Sequence, residues 1–226
     1  MITINNLKKT FRKYTILDID NLVIGDNEKV AIVGKNGVGK TTLCEIIMGT
    51  QAPTSGKIET SIDDLRKNAV FQETGFSNDV NIYSIAKFYQ DIFRARDFDL
   101  DASFEKYEIA DLKKRRYNRL SGGQKQKFKL LISQLNQPNL LLLDELTTSL
   151  DYEWRQKIFK ILNQMSHENK ATILLISHDP EEIGALCDRV IILKDTKIFK
   201  DFTLKGDAKE RVELVRKELA WDETTI

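Results

Sequence analysis

Three short runs of continuous apolar residues in the second half of the chain constrain its fold most strongly. They are Leu140–Leu143, Ile173–Ile176 (within a strand predicted over Thr172–Ile176) and Val190–Leu193. Two segments with helical spacing of apolar residues, Tyr152–Met165 and Glu181–Leu186, separate them. A strand without polar alternation is buried on both faces, and an intervening helix returns the chain for parallel pairing. The sequence therefore predicts an α/β protein whose mostly parallel sheet is covered on both faces.

The first half of the chain alternates strands and helices in a similar way. Met1–Leu7 alternates apolar and polar residues and predicts a strand at a sheet edge, and Ile16–Ile24 predicts a second, less regular strand. Lys29–Val33 predicts an apolar strand, and Thr41–Met48 predicts the helix after it. Ala208–Trp221, rich in Lys, Arg and Glu, predicts a C-terminal helix with a solvated face.

The segment from residue 80 to residue 120 lacks a strong strand pattern and is dense in charged and aromatic residues. Its apolar residues recur at helical spacing, which predicts one packed helix face. These residues are Ile82, Ile85, Phe88, Tyr89, Ile92 and Phe93.

Composition excludes several classes of protein. A formal net charge of +1 over 226 residues, with 41% hydrophobic residues, argues against a disordered chain, a membrane-spanning chain and a dedicated nucleic-acid binder. We interpret the basic run Lys113–Arg116 as a solvated face. No secretory signal is visible, and Cys44 and Cys187 are too few for a disulfide framework or a zinc site. The sequence therefore predicts a cytoplasmic chain that binds no nucleic acid and acts at a membrane only through a partner.

A glycine-rich loop between a predicted strand and a predicted helix carries the first functional pattern. Gly34–Thr41 satisfies the phosphate-loop pattern G-x4-G-K-[ST]. Glycines let backbone N–H groups turn inward around phosphates, and the helix N-terminus adds its positive dipole end. We expect Lys40 to contact the β- and γ-phosphates, Thr41 to ligate Mg²⁺ and Thr42 to contact the α-phosphate. The other loop residues expected at the nucleotide are Gly34, Asn36, Gly37 and Gly39.

Two carboxylates end the most apolar strand. Leu140–Leu143 leads directly into Asp144 and Glu145, and ligands bind at the carboxyl edge of such sheets. We expect Asp144 to hold Mg²⁺ through water, and Glu145 to orient or deprotonate the attacking water.

Leu120–Gln124 opens a predicted helix with two successive glycines. Ser121 is a sound N-cap, but a cap alone does not need the glycines. Glycines at an exposed helix terminus can form a second anion site. Because the chain already has one phosphate loop, a second anion site suggests a second subunit.

With these motifs the sequence resembles the nucleotide-binding subunit of ATP-binding cassette (ABC) transporters, from about Ile2 to Leu193. Leu120–Gln124 matches the signature motif of that family without a mismatch. The resemblance implies a P-loop, RecA-like ATPase core with an antiparallel β subdomain and a helical subdomain that carries the signature. We expect a single domain over residues 1–226, the helical subdomain at residues 75–134 and a helical tail at residues 203–226.

The remaining family motifs follow in order. The resemblance assigns Gln72 to the glutamine loop, at Mg²⁺ and the γ-phosphate, and His178 to the switch histidine at the γ-phosphate. Phe11 fits the aromatic position that stacks on adenine, with Tyr14 as a weaker candidate. Thr148–Asp151 resembles the D-loop.

The family pattern also implies cofactors and partners. The cofactors are ATP and Mg²⁺. The partners are a second nucleotide-binding subunit, in a homodimer or heterodimer, and a separately encoded membrane permease. The permease would hold the chain at the inner face of the membrane and contact the region of Gln72 and the helical subdomain. The resemblance implies a head-to-tail dimer in which Ser121, Gly122 and Gly123 close over the ATP of the partner. Gln124 and Asp151 are also expected at the nucleotide.

Few positions depart from the family pattern. Leu146 stands where Pro is usual, and Lys35 where Pro or Ser is commoner. The form of Tyr117–Ser121 together with Leu146–Thr148 resembles export-type subunits for drugs, peptides or bacteriocins. Export is the favoured expectation, and an importer subunit or an ABC ATPase outside transport remain alternatives. A kinase or small GTPase is disfavoured by the signature motif.

Overall fold

The computed structural model describes residues 1–62, 64–71, 75–145, 147 and 149–220. In chain order the strands are β1 (Ile2–Phe11), β2 (Tyr14–Ile24), β3 (Lys29–Val33), β4 (Ser55–Thr60), β5 (Lys67–Val70), β6 (Leu140–Asp144), β7 (Thr172–Ile176), β8 (Arg189–Lys194) and β9 (Lys197–Thr203). The α-helices are α1 (Lys40–Met48), α2 (Ile82–Ile92), α3 (Leu100–Lys106), α4 (Gly122–Gln134), α5 (Tyr152–Glu168), α6 (Pro180–Leu186) and α7 (Ala208–Ala220).

A six-stranded sheet in the order β5-β6-β7-β3-β8-β9 forms the centre of the chain. All neighbouring strands pair in parallel except β9, which is antiparallel to β8. Successive side chains enter two different apolar cores: Val33 and Leu143 face the core with α5 and α6, whereas Ile32 and Leu142 face the core with α1. Burial of each such side chain contributes roughly 1.5–3 kcal/mol. The predicted α/β class, with a mostly parallel sheet covered on both faces, is confirmed.

A second, antiparallel sheet in the order β2-β1-β4 covers the α1 side of the main sheet. Its central strand is β1, so the prediction of an edge strand at Met1–Leu7 is wrong. Alternation of apolar and polar residues reports that one face of a strand is exposed, and it carries no information about how many strands flank it. Ile4 and Leu7 on the inner face are fully buried.

The segment between β5 and β6 contains α2, α3, α4 and two 3-10 turns in its described part. Ile82 is buried, and Tyr89 packs edge-on against Phe76. Phe88 and Ile92, however, are 62% and 54% exposed. The prediction that all the apolar residues of α2 share one packed face is therefore wrong, because Phe88 precedes Tyr89 by one position and points about 100° away from it.

Two strands, β5 and β9, were not predicted because their sequences are too polar to show the pattern of a buried strand. β5 reads Lys-Asn-Ala-Val at one edge of the main sheet, and β9 alternates exposed and half-buried residues at the other edge. The C-terminal helix is present as α7, which packs on α6 so closely that a Cβ on Gly184 would lie 2.6 Å from Val212 Cγ2. Among the described residues, no helix combines the length and the apolarity needed to cross a bilayer.

Both cysteines lie inside these cores. Cys44 of α1 and Cys187, just after α6, are free thiols with no exposed surface. Burial raises the pKa of each thiol, and nearby carboxylates add to the effect. Neither cysteine forms a disulfide, as expected from their small number.

Candidate functional site

The loop between β3 and α1 has a backbone that only glycine can follow. Gly34 has φ +149°, and a Cβ there would lie 2.5 Å from the carbonyl oxygen of Leu193. Gly39, with φ +109°, is the N-cap of α1 and supplies no side chain to the first-turn N–H groups. The N-terminus of α1 also has no acidic residue in its first turn. These features fit a phosphate, whose oxygens accept from N–H groups at a helix N-terminus.

The Lys40 side chain folds back across the mouth of this loop. Its Nζ donates to the carbonyl oxygens of Gly34, at 2.6 Å, and Lys35, at 3.1 Å. Burial lowers the pKa of Lys40, while Asp144 and Glu145 oppose that shift. The loop therefore holds a cation next to the backbone N–H groups that would face a phosphate.

Thr41 and Asp144 bring two oxygen ligands together. Thr41 Oγ1 lies 3.5 Å from Asp144 Oδ2. Burial raises the pKa of the Asp144 carboxyl, Glu145 adds to the rise, and Thr41 and Lys40 oppose it. Hydroxyl and carboxylate oxygens suit Mg²⁺, which keeps several waters and phosphate oxygens as its other ligands. Among the residues that the structure describes, no cluster of three or more His, Cys, Asp or Glu side chains is placed to hold a metal.

A cavity of about 300 Å³ joins the loop to the carboxyl edge of the sheet. Its lining residues are Phe11, Ile16, Asn36, Gly37, Gly39, Lys40, Thr41, Thr42, Asp144, Glu145 and Ile176. All of them except Ile16 and Ile176 are predicted site residues, drawn from three separate parts of the sequence. Ile16 and Ile176 were missed because an apolar residue on a strand gives no chemical signal, although Ile176 ends β7 at the same edge.

Phe11 is placed at the cavity as predicted for an adenine-stacking residue, and Tyr14 is not among the lining residues. The Phe11 ring is 44% exposed, and Lys9 Nζ lies 4.9 Å from its centroid. A partly exposed ring at the mouth of a nucleotide-sized cavity has a face available for stacking.

Glu145 adopts an unusual backbone conformation at the end of β6. Its φ is +52°, in the left-handed region that Glu seldom adopts, and its N–H donates to the carbonyl oxygen of Ile176 at 3.0 Å. Strained residues of this kind cluster at functional sites, where surrounding contacts hold them. His178 follows two residues after Ile176 and is exposed at the same edge.

The signature residues form a separate group outside the cavity. Ser121 caps α4 in a reciprocal capping box: its Oγ accepts from Gln124 N–H at 3.3 Å, and Gln124 Oε1 accepts from Ser121 N–H at 3.0 Å. A Cβ on Gly122 would lie 3.2 Å from Ser149 Oγ, and one on Gly123 would lie 2.9 Å from Ser149 O. The two glycines are thus explained by the close approach of the segment that leads to Asp151.

Asp151 is the N-cap of α5 and accepts from Trp154 N–H at 2.9 Å. It belongs to the signature group and does not line the cavity. Gln72 and Thr148, at the predicted glutamine loop and D-loop, lie outside the described residues, as does Leu146.

Glu182 of α6 is a further carboxyl behind the site, which sequence reasoning missed. It is only 2% exposed, and Ser177 Oγ donates to its Oε2. Burial raises the pKa of Glu182 to about 7, and Asp179 adds to the rise. The hydroxyls of Ser177 and Thr147 act in the opposite direction. On sequence alone, Glu182 is one of two adjacent acids on a short helix, a pattern that indicates solvent exposure.

We expect the Glu182 carboxyl to make the fold less stable as the pH rises. The folded chain keeps this proton to about pH 7, whereas the ordinary pKa is 4.5. The resulting loss of folding stability is therefore absent below the ordinary pKa and grows between the two pKa values. Above the folded-state pKa it reaches its full size of about 3 kcal/mol. In denaturant unfolding, the free energy of Glu182→Gln minus that of wild type should rise by about 2–3 kcal/mol from pH 5 to pH 8. Other titrating groups cancel in this difference, and a constant difference across that range contradicts the prediction.

The fold and the cavity together define a P-loop nucleotide-binding protein. The family model described as "ABC transporter" matches residues 17–148, which is more than half of the chain. The chain belongs to the ABC transporter ATP-binding family. As a member of that family it binds ATP with Mg²⁺ and hydrolyses ATP, which confirms the predicted activity and cofactors.

Named relatives agree with this assignment. The tungstate uptake system ATP-binding protein TupC of Peptoclostridium acidaminophilum is 32% identical over 87% of this chain and 96% of its own length. The nickel import system ATP-binding protein NikE of Staphylococcus aureus (strain MRSA252) is 34% identical over 86% of each chain. A dimeric post-hydrolysis structure of the ATP-binding cassette MJ0796, bound to ADP and Pi, aligns with a TM-score of 0.80 and 25% identity, over 92% of this chain and 100% of that one. TupC and NikE are named for uptake and import, so the export-type expectation has no support from them.

Proposed function

We propose that this chain is the ATP-binding subunit of an ABC importer, which works as a head-to-tail dimer and powers a separately encoded permease at the inner face of the membrane. One observation carries the dimer. Most of the described residues expected at ATP fall into two groups, one that lines the cavity and one at the starts of α4 and α5 that does not. Gly34 and His178 are close in sequence to lining residues but do not line the cavity themselves. A two-fold dimer would bring the second group of one subunit over the cavity of the other.

Within each cavity we assign the following roles. The loop N–H groups and Lys40 would hold the phosphates, and Thr41 with Asp144 would hold Mg²⁺, which supplies further neutralisation of phosphate charge when bound. Glu145 would orient the attacking water and accept its proton, and His178 would contact the γ-phosphate. Most of the rate enhancement would come from positioning and electrostatics.

The assignment of uptake rests on the relatives. One relative is named for tungstate and another for nickel, an oxyanion and a cation, so subunits similar to this chain serve cargoes of opposite charge. Such a subunit would meet the phosphates of ATP and would not meet the cargo. We therefore propose uptake as the direction of transport and leave the choice of cargo to the permease.

The outward face of α2 is the proposed permease contact. Phe88 and Ile92 are the exposed apolar residues of this helix, and Val80, 38% exposed, precedes it. These residues lie within residues 75–134, the proposed helical subdomain. Exposed apolar residues that cluster on one helix face are typical of protein contact sites.

We expect the double variant Phe88→Asp and Ile92→Asp to lose binding to the permease while it keeps its own ATPase activity. Two buried charges at the contact would abolish co-purification with the co-expressed permease encoded by a neighbouring gene. The matched control is Phe199→Asp, which changes an aromatic residue that is 47% exposed on β9. Failure of the wild-type chain to capture any polytopic membrane protein would favour an ABC ATPase outside transport.

Direction is tested in cells whose chromosomal copy carries Glu145→Gln. Elemental and small-molecule analysis of washed cells compares this strain with wild type. A solute that falls in the variant strain and recovers with the wild-type gene supports uptake. A solute that accumulates instead contradicts uptake and restores the export hypothesis.

A further inference from the structure

The buried Glu182 side chain contacts the segment that carries His178. Its carboxyl accepts from Ser177 Oγ, and the same oxygen of Ser177 accepts from Asp179 N–H at 3.1 Å. Ser177 is 3% exposed. The residues immediately before and after the exposed His178 are therefore fixed through one buried carboxyl–hydroxyl–amide chain.

The same carboxyl also reaches the segment that follows Glu145. Thr147 is 3% exposed, and its hydroxyl lowers the pKa of the Glu182 carboxyl. Among the described residues, no hydrogen bond of good geometry reaches the buried Oε1 atom. Glu182 is therefore hydrogen-bonded through one oxygen to the segment after β7, and Thr147 of the segment after β6 acts on the same carboxyl.

A backbone contact already links these two segments nearer to the cavity. Glu145 N–H donates to Ile176 O at 3.0 Å. The hydrogen bond from Ser177 Oγ to Glu182 holds the chain at the residue directly after Ile176. The Ile176 carbonyl that accepts from Glu145 is thus fixed in place by the neighbouring Ser177, which Glu182 holds.

We propose that Glu182 is a positioning residue for ATP hydrolysis: it holds the His178 segment and the Glu145 segment in register, so that both side chains meet the γ-phosphate together. This inference rests on the proposed roles of Glu145 and His178. It places Glu182 outside the set of groups that touch ATP, so its effect should fall on the chemical step.

The charged surroundings of Glu182 are asymmetric. Asp179 disfavours its ionisation and Arg155 favours it, and the buried Cys187 thiol is the other titratable group that its charge influences. Arg155 Nη1 donates to Asp179 Oδ2 at 3.1 Å, which partly neutralises the nearer carboxylate. The chain thus keeps a buried acid among polar and charged groups next to the His178 segment. Stability of the fold alone does not require that acid, because its burial is unfavourable.

The test is steady-state ATPase kinetics of the full chain. We expect Glu182→Ala to lower kcat by about 30-fold while KM for ATP changes by less than about 3-fold, because loss of register misplaces reacting groups without removing contacts to bound nucleotide. Glu182→Gln keeps an acceptor for Ser177 Oγ, so we expect it to recover most of the kcat. Ser177→Ala should lower kcat without adding to the effect of Glu182→Ala, because both variants break the same chain of contacts.

Glu181→Ala is the matched control. Glu181 is the adjacent acid on α6, is 61% exposed at its side chain and pairs with Arg216 on the surface. Its removal should leave kcat within about 2-fold of wild type, as expected of an exposed ion pair. Melting temperatures and fluorescent-nucleotide binding identify any variant that is unfolded. If Glu182→Ala is unfolded, Ser177→Ala carries the test, and a wild-type kcat in that variant overturns the inference.

Two outcomes overturn the inference. One is a Glu182→Ala variant that folds and turns over ATP at the wild-type kcat. The other is a loss in Glu182→Ala that appears equally in nucleotide affinity and in kcat, which indicates a general distortion of the site. A wild-type chain without ATPase activity would instead contradict the proposed function, so the two failures are distinguishable.

Discussion

Replacement of Glu145 by Gln is expected to lower ATP turnover by about 100-fold or more while ATP still binds, since general-base catalysis contributes about 10²–10⁴-fold. The variant keeps the size of the side chain and removes its capacity to accept a proton. The backbone at Glu145, with φ +52° and its N–H on Ile176, should persist. Because hydrolysis would be the step that separates the subunits, the variant should accumulate as an ATP-bound dimer.

Turnover assays and size-exclusion chromatography with and without ATP measure both effects. Glu213→Gln is a matched control, because it neutralises an exposed carboxylate on α7, far along the chain from the cavity residues. It should turn over ATP at the wild-type rate and show no ATP-dependent dimer beyond that of wild type. Undiminished turnover in Glu145→Gln would exclude Glu145 as the base.

Ser121→Arg is expected to abolish hydrolysis while each monomer still binds ATP with near wild-type affinity. Ser121 is exposed at the start of α4 and does not line the cavity of its own chain. A long cation in place of Ser121 would spoil the site that this residue completes on the partner subunit. Its own phosphate loop would remain intact, so binding to the monomer should not change.

The variant also loses a helix cap, which costs about 1 kcal/mol. Asp99→Ala removes a comparable cap from α3, where Asp99 Oδ1 accepts from Ala102 N–H at 2.9 Å, and it serves as the stability control. Mixing Ser121→Arg with Lys40→Ala should restore measurable turnover, because one site of the mixed dimer combines an intact loop with an intact signature. Equal loss of ATP binding in Ser121→Arg, or no recovery on mixing, would contradict a site shared between subunits.

The sequence was sufficient for the parts of the molecule that follow from local chemistry. Continuous apolar runs predicted the parallel strands β6, β7 and β8, and glycine spacing predicted the loop before α1. The strands β5 and β9 escaped prediction because they lie at sheet edges, where polar residues are tolerated. The alternation of β1 likewise could not distinguish a central strand from an edge strand.

The candidate site was predictable only to the extent that its residues carry a motif. Lys40, Asp144 and Glu145 have chemistry that a pattern can report, and the structure places them around one cavity. Glu182 has no such pattern, because its burial depends on how α6 packs against the segments after β6 and β7. The direction of transport was also beyond the motifs, since residues that bind ATP do not contact the cargo.

The two buried thiols make this chain convenient for spectroscopy. The thiolate is the form that reacts with maleimides, and burial of Cys44 and Cys187 both suppresses that form and blocks access to it. A single cysteine introduced at an exposed position, such as Phe88 on α2, can therefore be labelled in the native background without first removing the natural ones. Distances between labels on two subunits would then follow the opening and closing of the proposed dimer during turnover.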